Sequence, residues 1–163
     1  MVYPRYPHSR NKKLYTPNKE SGYFDCMANR QTYLSLIQGI INRLSNNSFL
    51  LKGWSVILVA GLFTLSDITE NGQMIILAYF PAIAFWGLDA YYLRQERLYR
   101  KLYESVREKE HDVDFSMNVS EFEKEVCYCN VLLSKTLIWF HLTLLATLIL
   151  VTALTIIGEH NGA

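Results

Sequence analysis

Three apolar runs punctuate an otherwise polar chain, and their lengths set the expected architecture. Phe49 to Leu65 and Met74 to Leu93 are 17 and 20 residues long and carry one charge each, Lys52 and Asp89. Leu137 to Ile157 covers 21 positions without a Lys, Arg, Asp or Glu. An α-helix of about 20 residues crosses the roughly 30 Å hydrocarbon core of a bilayer. A buried soluble helix seldom runs that far without a polar face. The pattern therefore predicts an all-α integral membrane protein with three transmembrane helices. The first two close into a hairpin through Ser66 to Gln73 (SDITENGQ), where Asn71-Gly72 is a turn pair.

The polar stretches have patterns of their own. Residues 1–29 hold Pro4, Pro7 and Pro17 among scattered tyrosines and basic residues. No period emerges there, which predicts a flexible basic cytoplasmic arm. From Arg30, the residues Tyr33, Leu36, Ile37, Ile40, Ile41 and Leu44 recur at helical spacing, so 30–46 reads as an amphipathic helix. Such a helix lies along the inner leaflet or packs against the helix leaving the second span. Ser45-Asn46-Asn47-Ser48 supplies a break and an N-cap before the hairpin of 47–93. The second span should continue as helix to about Glu110, because no Gly or Pro interrupts LRQERLYRKLYESVREKE. Tyr92, Tyr99, Leu102 and Val106 form a narrow seam along it, suited to a solvated stalk or to a short coiled-coil contact. Within the cytoplasmic segment 94–130, Ser120-Glu121-Phe122-Glu123 matches a capping box and predicts a helix start. Residues 131–163 then form the third span and a short external tail.

Charge orients these elements. Of the 16 basic residues, half precede Ser55 and half lie between Arg94 and Lys135, leaving none in the hairpin loop or in the tail. Basic residues stay on the cytoplasmic side. The expected topology is a bacterial inner-membrane, multi-pass protein with a cytoplasmic N-terminus and an external C-terminus. No apolar core precedes Tyr33, so the first span itself is expected to direct insertion. Cys26, Cys127 and Cys129 all fall on the reducing side, and Cys127-x-Cys129 lacks zinc-finger spacing. The sequons at Asn46 and Asn118 carry no meaning on that side. A net charge of +1 suggests no nucleic-acid partner.

Polar residues inside the runs are the candidate functional positions, since charge within a bilayer is costly. Lys52 and Asp89 lie nearly equally far from the hairpin loop, hence at similar depth near the cytoplasmic face, and His141 enters the third run from the same side. These three make an intramembrane polar layer, read first as a structural pairing and second as a proton or ion path. Gly61 and Pro81 are expected at a close helix contact or kink. Trp54, Trp86, Tyr91, Tyr92 and Trp139 suit an aromatic belt. No phosphate-cradling glycine motif, His-Glu-x-x-His box or Gly-x-Ser-x-Gly elbow occurs, and about Arg94 to Asn130 is too short for an enzyme core. Neither a catalytic function nor a cofactor is expected.

The segments YLSLIQGIINRLSNNSFLLKGWSVILVAGLF and FWGLDAYYLRQERLYRKLYESVR resemble a widespread group of small bacterial membrane proteins over about Tyr33 to Arg107. The organisation also resembles, more loosely, the two-transmembrane (SLATT-like) effector domains of antiphage systems, against whose two spans this chain has three runs. That resemblance implies a self-associating protein that permeabilises the inner membrane in a defence or stress response. A second expectation is a non-conducting anchoring subunit that recruits a larger cytoplasmic protein. The lipid bilayer and further copies of the chain are the partners implied. The topology predicts that a periplasmic reporter fused after Ala163 is active and one inserted near His111 is silent; reporter activity at His111 reverses the assignment.

Overall fold

The computed structural model describes residues 19–68, 76–109 and 114–162. Among these residues the regular structure is all helix, with no strand. Helix α1 runs Lys19–Ile68, α2 Tyr79–Glu108, α3 Tyr128–Leu132 and α4 Lys135–Gly162, with a single 3₁₀ turn at Ser120–Phe122. Two helical stretches, Met27–Ser66 and Lys135–Gly158, are long and apolar enough to cross a membrane. The second apolar run is helical at residues 76–77 and again from Tyr79, with a turn at Ala78 between them, and its first two residues lie outside those described.

Helix α1 departs most from expectation. It is one helix of 50 residues, about 75 Å at 1.5 Å per residue. The break expected at Ser45–Ser48 is absent, and so is a boundary near residue 30, since the helix already runs from Lys19. Residues 1–18 of the expected arm lie outside those described. The physical reason is a continuous buried seam: Tyr33, Ile37, Ile41, Leu44, Ser48, Ser55, Val59 and Ser66 all sit below one-tenth exposure at steps of three, four or seven. The seam does not stop at Asn46-Asn47. It changes from large apolar to small polar residues and continues on the same face. Tertiary contact along that face outweighs the weak helix propensity of the Asn and Ser residues.

Helix α2 is the element against which α1, α3 and α4 all pack. It runs antiparallel to α1. At one end Leu102 and Val106 meet Tyr33, Ile37 and Ile41; at the other Ala78 and Ala82 meet Val59 and, on α4, Leu148. Of the two placements considered for the amphipathic segment, it packs on the helix leaving the second run. The seam of Tyr99, Leu102 and Val106 is filled by α1 of the same chain. Arg30 closes the far end: its guanidinium donates to the carbonyls of Val106 (3.1 Å) and Arg107 (2.6 Å), which the last turn of α2 leaves without intrahelical partners. The Tyr33 hydroxyl donates to the Ser116 carbonyl and its ring stands edge-on to Phe115.

From Asp114 the chain returns along α2. Val119 and Phe122 pack on both the Tyr33–Val106 cluster and the Leu98–Val126–Val131 cluster. Arg94 donates to the Val126 carbonyl at 2.9 Å, and Lys101 pairs with Glu125 at 2.6 Å. The capping box at Ser120 does not form. Its segment is a 3₁₀ turn with no side-chain cap bond, and the Ser120 amide donates instead to Asn118 Oδ1 at 3.0 Å. An Asx turn has taken the donor that the cap needed.

Ile37 is fully buried where α1 and α2 cross. Ile37→Ala removes that packing and should cost about 2–4 kcal/mol, read as a lower midpoint of thermal unfolding in detergent. Leu36, 56 % exposed on the opposite face, should tolerate the same change within about 0.5 kcal/mol.

Candidate functional site: a buried carboxylate shared by three helices

Asp89 is fully buried on α2, in the half that carries the second apolar run. A carboxylate there needs donors on both oxygens. Ser48 of α1 donates its hydroxyl to Oδ1. Lys52, one helical turn on, reaches Oδ2 at 2.6 Å and donates to Ser48 Oγ at 3.0 Å. His141 of α4 meets Oδ2 through Nε2 at 3.2 Å and is 1 % exposed. The i, i+4 spacing of Ser48 and Lys52 puts both on the α1 face that looks at α2. The structure thus brings Lys52, Asp89 and His141 together in one cluster. Ser48, expected as an N-cap, is its fourth member.

The surroundings are aromatic. Trp86, one turn before Asp89, stacks on the His141 ring at 5.7 Å between centroids and 11° between planes. Its indole N–H donates to the Leu132 carbonyl at 3.2 Å, at the end of α3. The Tyr128 hydroxyl, at the start of α3, donates to the Gly87 carbonyl at 2.8 Å. Helix α3 is therefore tied at both ends to the turn of α2 that precedes the carboxylate. Phe140 lies 6.0 Å from the Lys52 ammonium, ring face toward the charge.

Protonation follows from the partners. An ionised carboxylate only accepts, so His141 presents a hydrogen on Nε2, and in the neutral ring Nδ1 is then a bare acceptor. Nδ1 is buried without a partner. The Lys52 charge balances that of Asp89, and Lys52 keeps 24 % of its side chain exposed, so its end of the pair touches the surroundings.

Ser, His and Asp occur together here in an order unlike that of a nucleophilic triad. In a triad the imidazole stands between hydroxyl and carboxylate. Here the carboxylate stands in the centre, already neutralised by Lys52, and holds the hydroxyl and the imidazole apart. The arrangement suits fixing three helices at one level. Among the described residues no three His, Cys, Asp or Glu side chains gather as metal ligands.

Within one copy Gly61 does not make the close contact expected of it: a Cβ built there meets nothing within 4 Å. The small residues at the close contact are Ala78 and Ala82, 0 % and 1 % exposed against Val59 and Leu148. Pro81 lies three residues after the turn at Ala78 that separates helical residues 76–77 from α2. Of the expected belt, Trp54, Trp139 and Tyr91 point outward at 56 %, 75 % and 49 % exposure, while Trp86 turns inward. The chain matches no family model, no curated protein and no solved structure.

Asp89→Asn keeps an acceptor for one donor and should cost about 1–3 kcal/mol in detergent, while Asp89→Leu strands Ser48 and His141 as buried donors and should cost more. Lys52→Asp combined with Asp89→Lys should be more stable than the sum of its two single changes. Additive losses would show that the pair does not interact. Gly61→Leu should leave thermal stability unchanged, and Ala82→Leu should lower it by about 1–3 kcal/mol through overpacking.

Proposed function

We propose that the chain is a three-span inner-membrane protein, N-terminus inside and C-terminus outside, that self-associates and permeabilises the membrane in a defence or stress response. The observation that carries the membrane part is an inversion of polarity. Ser48, Ser55, Asp89 and His141 are buried, while Phe49, Phe80, Ile83, Trp139 and Leu150 are each about 60 % exposed or more. In water that surface would be an aggregation site. In lipid it is the solvated side, and the buried polar groups are those that lipid cannot satisfy. Two helices already have the length and apolar character to span, and α2 from Ala78 to Asp89 packs alongside both at the same level.

Support for self-association comes from how little of α4 the chain itself covers. Leu137, His141 and Leu148 form a narrow buried line, and Trp139, Leu142, Ile149, Leu150, Leu154 and Ile156 all face outward. In this reading the packing of three helices on Ala78, Ala82 and Leu148 closes the level they share within one copy. Any conducting route therefore needs several copies, or release of the Asp89 cluster. The cluster works in this reading as the latch of the resting bundle, without catalysis.

A second reading, an anchoring subunit for a larger cytoplasmic protein, is favoured by Leu36 and Phe115, apolar residues 56 % and 51 % exposed on the end of the bundle away from the apolar runs. Regulated expression in bacteria separates the two. Growth arrest with entry of a membrane-impermeant dye, and a higher-order species in detergent, is the result expected of the effector. Harmless expression at the same protein level, with one partner co-purifying, would replace it with the subunit. In the effector, Asp89→Asn should change the onset of dye entry at equal membrane abundance, because the latch is weakened.

A further inference from the structure

Cys127 and Cys129 stand two residues apart at the start of α3, both exposed and free. The two-residue spacing sets the Cys129 side chain and the amides of Cys129 and Asn130 next to Cys127 in the chain. Those amides, followed by the Cys129 side chain and the nearby Arg94 charge, hold the Cys127 thiol below the ordinary thiol range despite some opposing desolvation. The reacting form of a cysteine is the thiolate, so Cys127 is the better nucleophile of the two at neutral pH.

Cys127 lines a cleft of about 410 Å³ together with Arg97, Arg100, Lys101, Glu104, Glu125 and Asn130. The basic residues along this stretch of α2 are mostly engaged. Arg94 donates to Val126, Arg100 pairs with Glu96 at 2.7 Å and Lys101 pairs with Glu125. Arg97, half-buried in the cleft wall, is not held in any such contact. With Glu125 taken up by Lys101, an Arg97 guanidinium that no carboxylate holds, in the same cleft as Cys127 and with a second exposed thiol two residues on, suits a disulfide that carries carboxylates.

We propose that Cys127 and Cys129 form a reversible dithiol–disulfide site for an anionic low-molecular-weight disulfide of the glutathione type, with Arg97 holding a carboxylate of the incoming molecule. Cys127 thiolate attacks one sulfur of the disulfide, forming a mixed disulfide and expelling one thiolate. Cys129 then loses its proton to solvent and attacks Cys127 sulfur, closing the internal disulfide and expelling the second thiolate. Two protein thiols are oxidised and one small disulfide is reduced to two thiols, so atoms and electrons balance. In the proposed topology the site faces the cytoplasm, where glutathione disulfide accumulates when the thiol pool is oxidised. Closure would tie Cys127 to Cys129 at the start of α3, the helix whose two ends are fastened at Trp86 and Gly87 beside Asp89.

The test uses the full chain in detergent with Cys26→Ser, so that only this pair is read. Glutathione disulfide at neutral pH should yield a protein lighter by two hydrogens. Cys129→Ser should stop at the glutathione adduct, and Cys127→Ser should react more slowly than Cys129→Ser. Arg97→Gln should slow the reaction with glutathione disulfide by up to about fivefold, the scale of one exposed charge contact. It should leave the rate with neutral hydroxyethyl disulfide unchanged, and Arg97→Lys should recover most of the loss. Failure to close the internal disulfide, equal rates for the two single-cysteine proteins, or an Arg97→Gln effect that is the same for both reagents or absent from both overturns the proposal.

Discussion

A carboxylate placed where water cannot reach it has to be met by donors, and Asp89 draws its donors from two other helices. Ser48 and Lys52 come from α1, His141 from α4, and all converge on one side chain of α2. That requirement fixes the relative height of three helices at once. Apolar packing alone would not, because contacts among Leu, Ile and Ala are non-directional and distinguish one register from the next only weakly. The alanine contact at Ala78 and Ala82 sets how closely the helices approach. The polar contact sets where along their length they do so. Trp86 extends the same control to α3, since one ring stacks on His141 and bonds to Leu132.

Helix α1 carries this register over a long distance. Its single buried seam engages α2 first through Tyr33, Ile37 and Ile41 and then through Ser48, Lys52 and Val59. The polar half and the apolar half of the molecule are thus parts of one rigid rod and share one antiparallel pairing. Arg30, whose guanidinium grips the end of α2, and the level of Asp89 are joined by this one continuous helix.

Much of this was legible in the residues. Run lengths and the positions of Lys52, Asp89 and His141 pointed to helices and to one polar level, because an isolated charge in an apolar run has few ways to be satisfied. The continuity of α1 was hidden for a related reason. Periodicity was sought among large apolar side chains, and the seam turns into Ser48, Ser55 and Ser66, where hydrophobicity no longer marks the buried face. Ser48 was readable only as a cap until its distance from Asp89 was known. Gly61 is no guide to the close contact because glycine permits close approach without requiring it, and the contact falls on Ala78 and Ala82. The capping box at Ser120 lost to Asn118, two residues earlier, which local pattern gave no means of ranking.

The order in which Asp89 acquires its partners has a consequence for how the molecule is made. During synthesis Ser48 and Lys52 are already in place when Asp89 emerges, and His141 follows 52 residues later. The α1–α2 pair can therefore form with its carboxylate neutralised and both oxygens engaged. Helix α4 comes last in the chain, to a place marked by an open lone pair on Oδ2 and by the face of Trp86. A chain interrupted before His141 would still hold a charge-balanced pair in place of a lone carboxylate.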